Sequence, residues 1–536
     1  MRFRNISPLI ILFTILFGVL IGTQIQKFFI GNGSNGELSK IDDVISLTKK
    51  FYIEELSTEK LVESAIKGIL DSLDPHSIYI PAKEFNQVEE SFRGDFEGIG
   101  IEFQIVNDTI TVVTPISGGP SEQLGILPGD RIIEINNQPV IGITNEEVRQ
   151  KLRGKAGTKV SVKILRPSSG KIFSYSITRD KIPIYSVDAA IMINNNTAYI
   201  SISRFSETTY DEFIQALDRL NQAGMKYLIL DLRGNPGGYL NQAVKISDVF
   251  LDGNKKIVYT RGRISEFDEE YFAENTYTYE KLPVVVLINK GSASASEIVA
   301  GAIQDWDRGL IVGETSFGKG LVQRQFELRD RSAFRLTISE YFTPSGRNIQ
   351  RKFADKTNKM EYYSEAFDKQ EIEGDNFLHQ NESDSLKPEF LTLIKKRKVF
   401  GGGGITPDFI VKNSQLTELT QELLKENVFY SFTLNFLDVN GDKIKSDFNN
   451  DLKKFKKDFV VSDTIFDNFI KFIRAKNIKL NEQELNKDVS YIKTRLKAQI
   501  ARNFWKNEGW FSIMLEADEQ FKEGLKLLNF AEKMIR

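Results

Sequence analysis

The stretch that decides the fold is VVVLINKGSASASE, residues 284–297. An apolar run of strand length ends there in a turn of small residues, and a helical pattern follows. Two similar runs, YLILDL at residues 227–232 and LIVG at residues 310–313, also alternate with helical patterns. Because buried strands that alternate with helices form parallel sheets, the sequence predicts an α/β core over residues 181–350.

Upstream of this core, short β-like runs separated by Gly, Pro and Asn turns fill residues 91–180. The runs are IGIEFQIV, TITVV, RIIEIN and KVSVKIL. They predict a small β-rich module. Within it, Thr144 and Glu147 form a capping-box pattern, which predicts a helix over Asn145–Leu152.

Helical patterns flank both predicted domains. Residues 31–90 combine a Gly/Asn/Ser linker with amphipathic stretches, which predict a helical collar. Residues 351–400 are polar and lack sustained periodicity, so we interpret them as an insertion, after which the core resumes at residues 401–413. Residues 414–536 are rich in Lys, Glu and Phe and predict a helical C-terminal domain.

The first 30 residues have the pattern of an export segment. Arg2 and Arg4 precede an uncharged apolar run over residues 9–22. No small-x-small cleavage site follows cleanly, which favours an uncleaved membrane anchor in residues 1–30 over a removed signal peptide. By the positive-inside rule, residues 31–536 are expected on the far side of the membrane from Arg2 and Arg4.

Composition excludes several mechanisms. The 536 residues include no cysteine and two histidines, so a cysteine nucleophile and thiolate metal sites are excluded. His76 follows a predicted helix, and His379 lies in the polar insertion, where we expect it to be solvated. Lys+Arg 71 against Asp+Glu 73 gives a net charge of −2, which lacks the basic footprint of a nucleic-acid-binding protein.

Two turns rich in small residues carry the candidate chemistry. Residues 291–297, GSASASE, place serine hydroxyls at the start of a helix, where free N–H groups favour an oxyanion; the alternative is a simple helix cap. Residues 313–320, GETSFGKG, nearly match a phosphate-binding loop, but Gly320 stands where Mg²⁺ binding needs Ser or Thr. A lysine in such a turn can serve instead as a general base, because burial favours its neutral amine.

Several motifs resemble those of the carboxyl-terminal processing peptidases, also called tail-specific proteases. These are SASASE (292–297), GETSFGKGLVQ (313–323), DLRGNPGG (231–238), TPSGRNIQ (343–350), GITPD (404–408) and, in the collar, DPHS (74–77). The resemblance covers about residues 40–410. It implies an α/β catalytic core of the crotonase/ClpP-like type, with the β-rich module as an inserted PDZ domain.

The resemblance also assigns catalytic roles. Ser294 is the implied nucleophile, Lys319 its general base, and Gln323 the residue that orients the amine. Ser292 and Ser296 are competing nucleophiles. The implied reaction is peptide hydrolysis through an acyl-enzyme, and it requires no metal or cofactor.

An oxyanion hole is expected from Gly237 or Gly238 together with Ala295. The alternative is that the glycine turn, residues 234–238, only reverses the chain. Glu297 and Asp305 match the family pattern as supporting residues.

A second site is expected in the PDZ domain, where a loop receives the carboxylate of a captured tail and a helix forms the opposite wall. The expected tail-binding residues are Gly98, Ile99, Gly100 and Ile101 in the loop, and Val148 and Leu152 on the helix. The predicted partners are therefore proteins or peptides with exposed C-terminal tails.

The leading prediction is a membrane-anchored, tail-specific serine endopeptidase. Its predicted localisation is the bacterial inner membrane, single-pass, with the catalytic part on the periplasmic or extracytoplasmic side. One alternative is a catalytically idle scaffold that binds tails or ligands, which the presence of both Ser294 and Lys319 argues against. A nucleotide hydrolase is a second alternative, which Gly320 argues against. A homo-oligomer, an adaptor protein and the membrane are further candidate partners, and nucleic acid is not.

Overall fold

In the computed structural model, the run Val284–Ile288 is a fully buried strand inside a largely parallel sheet. The structure describes residues 35–167, 169–353, 359–368, 371–379 and 387–535. These residues form two bodies. The smaller comprises residues up to Pro81 together with Gln325–Leu336, and the larger comprises Ala82–Arg324 and Thr337–Arg536.

The smaller body contains two helices and a short strand. They are α1 (Asn35–Phe51), α2 (Thr58–Asp71) and β1 (Ile78–Ile80). Strand β1 pairs antiparallel with a later segment, in which Arg335 lies opposite Ile78. The Asp74 carboxylate accepts hydrogen bonds from the backbone N–H groups of His76 at 2.8 Å and Ser77 at 2.9 Å. These bonds fix the turn that follows α2.

The β-rich module begins the larger body. Its elements, after helix α3 (Ala82–Arg93), are β2 (Asp95–Gly98), β3 (Ile101–Val106), β4 (Thr109–Pro115), α4 (Pro120–Gln123), β5 (Arg131–Ile135), β6 (Gln138–Pro139), α5 (Asn145–Leu152), β7 (Lys159–Arg166), β8 (Lys171–Thr178) and β9 (Asp180–Pro183). The sheet order β3-β4-β5-β7-β8 leaves β3 at an edge. The predicted capping box is confirmed, because Thr144 and Glu147 hydrogen-bond each other reciprocally at the start of α5.

The core follows as alternating strands and helices. Its elements are β10 (Val187–Met192), β11 (Thr197–Ile202), α6 (Thr209–Gln222), β12 (Tyr227–Asp231), α7 (Leu240–Asp248), β13 (Lys256–Gly262), β14 (Glu270–Phe272), β15 (Val284–Ile288), α8 (Ala295–Asp305), β16 (Leu310–Gly313), β17 (Leu321–Glu327) and β18 (Ala333–Phe342). Strands β11, β12, β15 and β16 pair in parallel, which confirms the predicted parallel sheet.

Residues 351–400 also contain regular structure. Helix α9 (Lys359–Asp368) and strands β19 (Gly374–Asp375), β20 (Glu389–Leu391) and β21 (Lys398–Phe400) lie there, and β22 (Phe409–Ile410) then joins the core sheet beside β16. Arg397 is buried and donates to Asp307 and Asp408, both at 2.7 Å. Burial alone would raise the pKa of Asp408, but the Arg397 charge prevails and lowers that pKa to about 2.

The expectation that His379 is solvated is wrong. Its side chain is 2% exposed, with Nε2 lying 3.7 Å from the Asp408 carboxylate. The polar composition of the insertion suggested exposure to solvent. Polar side chains of the insertion, such as Arg397, are instead buried and paired with other polar groups inside the fold.

The C-terminal region is helical, as predicted. Its helices are α10 (Glu418–Lys425), α11 (Val428–Phe448), α12 (Leu452–Asp458), α13 (Asp463–Ala475), α14 (Glu482–Lys487), α15 (Val489–Met514) and α16 (Glu519–Ile535). Helices α10 to α15 share one apolar core. Among the described residues, this part of the chain contacts the β-rich module through three ion pairs, Arg131 with Asp438, Glu102 with Arg502 and Glu122 with Lys506.

Helix α16 completes the core rather than standing apart from it. Alternate residues of β12 and β15 face opposite sides of the sheet. On one side, Leu230 and Val286 pack against the core helices α6 to α8. On the other side, Ile229 and Val285 pack against residues of α16 such as Leu528. The sheet is therefore covered on both faces.

The predicted localisation is wrong, as judged by the described residues. Throughout the described ranges, every helix is too short or too polar to span a bilayer. The segment predicted as an anchor, residues 1–30, lies outside the described residues.

Candidate active site

The serine turn lies between β15 and α8. Ser294 has φ +57° and ψ −113°, a backbone conformation that costs a residue other than glycine about 1–3 kcal/mol. It stands immediately before Ala295, the first residue of α8. A strained turn between a strand and a helix is the local geometry that projects a nucleophilic hydroxyl.

The neighbouring serines differ from Ser294 in exposure. Ser292 and Ser296 are both fully buried. Their hydroxyls donate to the carbonyl oxygens of Leu232 at 2.8 Å and Asn235 at 2.9 Å. Ser294 is only half-buried. Of the three hydroxyls, that of Ser294 is therefore the one most accessible to a substrate.

A buried carboxylate joins the serine turn to the lysine loop, residues 313–320. Among the described residues, Glu297 accepts four hydrogen bonds. Its Oε1 accepts from the Ser316 hydroxyl at 2.6 Å and the Gly318 N–H at 2.7 Å. Its Oε2 accepts from the backbone N–H groups of Ser294 at 2.7 Å and Lys319 at 2.9 Å. Because the backbone nitrogens of Ser294 and Lys319 share this one oxygen, the two backbone segments lie close together.

Burial and hydrogen bonding act in opposite directions on this carboxylate. Glu297 is 0% exposed, and burial raises its pKa, while the bonds from the four donors favour the ionised form. Tyr341 lies beside it and donates its hydroxyl to the Ser294 carbonyl oxygen at 3.2 Å. Burial raises the pKa of Tyr341 well above its ordinary value, so the hydroxyl remains a donor.

Lys319 lies at the end of the lysine loop, just before β17. Its Nζ donates a hydrogen bond to Gln323 Oε1 at 2.8 Å. Both side chains are half-buried. The amide oxygen of Gln323 is a neutral hydrogen-bond acceptor, so Gln323 orients the lysine amine without adding a negative charge beside it.

The glycine turn lies against the serine turn. A Cβ on Gly237 would lie 2.8 Å from the Ser294 Cβ and 2.9 Å from the Ala295 nitrogen, so a side chain there would displace the serine turn. The Gly237 N–H donates to Asn235 Oδ1 at 2.8 Å. Within the described part of the chain, we find no acceptor for the N–H groups of Gly238 and Ala295. These two donors are thus free to bind a substrate oxygen.

Two further sequence motifs contact helix α8 and the loop that contains Lys319. Arg347 of TPSGRNIQ donates to the Asp305 carboxylate, and this ion pair is fully buried. The Ser316 hydroxyl accepts from the N–H of Ile405 in GITPD at 2.7 Å. Asp305 is the last residue of α8, whereas Ser294 precedes its first residue, so Asp305 supports the opposite end of the helix from Ser294.

The insertion also reaches this region. Tyr362 and Ala366 of α9 are buried together with Ala293, which precedes Ser294, and with Phe317 of the lysine loop. The Phe317 and Tyr362 rings have centroids 6.0 Å apart in an edge-to-face arrangement. This contact was not predictable from the sequence, because the insertion lacks a clear periodic pattern.

The expected tail-binding residues fall in two environments. A cavity of about 380 Å³ lies between β3 and α5 and is lined by Ile99, Gly100, Ile101 and Leu152. Gly98, the last residue of β2, begins the loop that continues through Ile99 and Gly100. Val148 instead is fully buried in the core of the β-rich module. Arg149, which the sequence analysis did not single out, lines the cavity in its place.

Comparison with protein-family models gives four matches. They are peptidase family S41 over residues 196–358, a PDZ domain over residues 111–166, the N-terminal domain of the activating protease CtpB over residues 24–84, and a family of unknown function over residues 419–506.

Curated relatives match over most of their own length. The carboxy-terminal processing protease CtpA of Bacillus subtilis is 37% identical over 351 residues, which cover 63% of this chain and 74% of the relative. A carboxy-terminal-processing protease of Bartonella bacilliformis is 38% identical over 59% of this chain and 73% of its own. Among solved structures, a photosystem II D1 C-terminal processing protease is 27% identical, covers 59% of this chain and 90% of its own, and has a TM-score of 0.33.

A serine peptidase with an α/β core is the class that the fold and these matches define together. The chain belongs to peptidase family S41, among the carboxy-terminal processing proteases. It contains a PDZ domain and a helical C-terminal region. The predicted family and enzyme class are therefore confirmed.

Proposed function

We propose that the protein is an endopeptidase that captures proteins by their C-terminal tails through the PDZ domain and cleaves them with a Ser294–Lys319 dyad. The observation that carries the proposal is the shared carboxylate of Glu297, which binds the backbone N–H groups of both residues. The exposure of Ser294, compared with buried Ser292 and Ser296, supports its role as the nucleophile.

The proposed reaction is acyl transfer in two steps. The neutral amine of Lys319 takes the proton of the Ser294 hydroxyl as Oγ attacks the carbonyl carbon of the scissile bond. The tetrahedral intermediate collapses, the C–N bond breaks, and the lysine returns the proton to the leaving amine. Lys319 then deprotonates a water molecule, which hydrolyses the acyl-enzyme and frees Ser294. Gln323 holds the amine through the 2.8 Å hydrogen bond.

The developing oxyanion is stabilised in this proposal by the N–H groups of Gly238 and Ala295. Both lack an acceptor in the described part of the chain, and Ala295 opens helix α8, whose dipole favours negative charge. The N–H of Gly237 is directed to Asn235, so Gly237 contributes close packing against Ser294 rather than a hydrogen bond.

Tail capture is proposed to occur at the edge strand β3. An extended tail that pairs with β3 brings its carboxylate to the loop from Gly98 to Ile101, and its last side chain to Leu152. Val148 supports this wall from within the core.

The domain organisation that we propose follows the predicted boundaries. It comprises a collar at 31–90, the PDZ domain at 91–180, a crotonase/ClpP-like core at 181–350 and 401–413, an insertion at 351–400 and a C-terminal domain at 414–536. The pairing of β2 with β9 supports the PDZ boundaries, because it closes the module where the chain enters and leaves. A homo-oligomer through the collar is supported by exposed apolar side chains on α1, such as Leu38 and Val44, each 62% exposed.

The test is cleavage of a folded reporter protein with an unstructured apolar tail, with the same protein lacking the tail as control. Wild type is expected to cleave only the tailed reporter. Ser294→Ala and Lys319→Arg are expected to reduce kcat at least about 10³-fold while still binding the tail. Arginine keeps the positive charge but cannot act as a base, so normal turnover in Lys319→Arg would overturn the dyad.

A further inference from the structure

The PDZ cavity contains charged as well as apolar groups. Among the described residues that line it, Glu102, Arg149 and Arg153 are charged. Both oxygens of Glu102 accept from Arg502 Nη2 at 3.0 Å. Arg153 donates to Glu90 at 2.5 Å, and its guanidinium carbon lies 4.6 Å from the centroid of the Phe96 ring. The charges of Glu102 and Arg153 are therefore closely compensated.

Arg149 is compensated least. Its charged partner is Glu146 on the same helix, at 3.8 Å, and both side chains are at least half exposed. An exposed pair of this kind contributes little to stability, so another carboxylate easily replaces Glu146 as the partner. The Arg149 guanidinium thus offers an available positive charge inside the cavity.

The position of Arg149 along the groove follows from helix and strand geometry. The end of α5 lies beside the loop from Gly98 to Ile101, which receives the tail carboxylate, because the Gly154 N–H donates to the carbonyl oxygen of Glu97 at 3.3 Å. Arg153 and Leu152 are therefore the lining residues of this helix end nearest the tail carboxylate. Arg149 lies three residues before Leu152, about 4.5 Å along the helix axis. Tail residues on the same face repeat about every 6.6 Å, so the long Arg149 side chain faces the residue two positions before the terminal one.

We propose that Arg149 selects tails that carry an acidic side chain two residues before an apolar C-terminal residue. This inference rests on the proposed capture of tails by the PDZ domain, and it adds a substrate class to it. The last side chain contacts Leu152 and Ile101, and the carboxylate two positions earlier pairs with the Arg149 guanidinium. Charge complementarity at this position sets which tails bind well.

The experiment uses the full chain with Ser294→Ala, so that peptides bind without being cleaved. Fluorescent peptides ending in Glu-Ala-Val, Gln-Ala-Val and Lys-Ala-Val are titrated and followed by anisotropy at low and high salt. We expect the glutamate peptide to bind about threefold more tightly than the glutamine peptide, and the lysine peptide more weakly than either. The difference is expected to shrink at high salt, because the pair is partly exposed.

One variant tests the role of Arg149, and a second variant on the same helix is its control. Arg149→Glu is expected to reverse the order, with the lysine peptide binding best. Lys151→Glu makes the same change of charge on the same helix at a residue that does not line the cavity, and it should keep the wild-type order. Equal binding of the three peptides, or an order that Arg149→Glu leaves unchanged, would overturn the inference.

A further peptide separates this inference from the proposed function. The glutamate peptide with an amidated C-terminus should bind at least tenfold more weakly than the free acid, because it lacks the carboxylate that the loop receives. Equal binding of amide and acid would overturn tail capture itself and the inference with it. A strong requirement for the free acid without any charge preference would overturn only the role of Arg149.

Discussion

The replacement Glu297→Gln tests whether one carboxylate holds the serine turn and the lysine loop together. The native side chain accepts hydrogen bonds on both oxygens, from the N–H groups of Ser294 and Lys319 on one and from Ser316 and Gly318 on the other. Glutamine keeps one accepting oxygen and presents an NH₂ group at the position of the other. Two of the four donors therefore lose their acceptor and face a second donor.

The expected cost follows from this count. A buried donor without an acceptor costs about 1–3 kcal/mol, so the two together cost about 2–6 kcal/mol. Removal of a buried charge offsets part of this, because burial disfavours the ionised carboxylate and raises its pKa. The net loss of stability is expected to be about 2–4 kcal/mol. A shift of about 1 Å between nucleophile and base would lower kcat about 10²-fold.

The assay compares kcat, KM and tail affinity in Glu297→Gln with those of Glu207→Gln, an exposed glutamate. Urea unfolding measures the stability of both variants. We expect a large fall in kcat with unchanged tail affinity, because the PDZ cavity is built from other residues. A folded Glu297→Gln variant with kcat within about twofold of wild type would refute the reasoning.

Further predictions concern acidity and the links between distant segments. Cleavage should fall steadily on acidification, because only the neutral Lys319 amine accepts a proton; a flat rate down to about pH 5 would contradict this. Asp408→Asn should lower stability at pH 7 by at least about 2 kcal/mol. Because the pKa of Asp408 is lowered to about 2, this contribution is present above its ordinary pKa and lost as pH falls through about 2, so the urea midpoints of variant and wild type should converge in acid. Asp518→Asn removes a carboxylate that accepts from Arg233 at 2.6 Å and 3.0 Å, and it should lower the urea midpoint more than Asp467→Asn does. Gly237→Ala should abolish cleavage but not tail binding, since a Cβ there would lie 2.8 Å from the Ser294 Cβ.

The parallel core was predictable because its signal is local. Each buried strand is a short apolar run that ends in a turn, as in Val284–Ile288, and the helix that follows carries its own spacing. The capping box of Thr144 and Glu147 was visible for the same reason, since both partners lie within one helical turn.

The packing of the C-terminal helix was not predictable in this way. The periodicity of Glu519–Ile535 predicts an apolar face, but not that this face covers Ile229 and Val285, which lie far earlier in the sequence. His379 was misjudged for a related reason. The insertion around it is largely polar, whereas its buried side chain lies against Asp408, which belongs to a different motif.

The candidate site shows the same division between local and distant information. Sequence motifs indicated Ser294 and Lys319, and the run of three serines left the nucleophile open. The structure adds the burial of Ser292 and Ser296 and the hydrogen bond that occupies the N–H of Gly237. These facts depend on contacts with the glycine turn after β12, which no spacing within residues 291–297 could reveal.

The most direct test of the central claim is to identify the residue that carries the acyl group during turnover. The full chain is mixed with an activated ester of a tailed peptide, quenched in acid, digested and mapped by mass spectrometry. The account predicts an acyl adduct on Ser294 that is absent in Ser294→Ala and forms far more slowly in Lys319→Arg. An adduct on Ser292 or Ser296, or unchanged formation in Lys319→Arg, would contradict it.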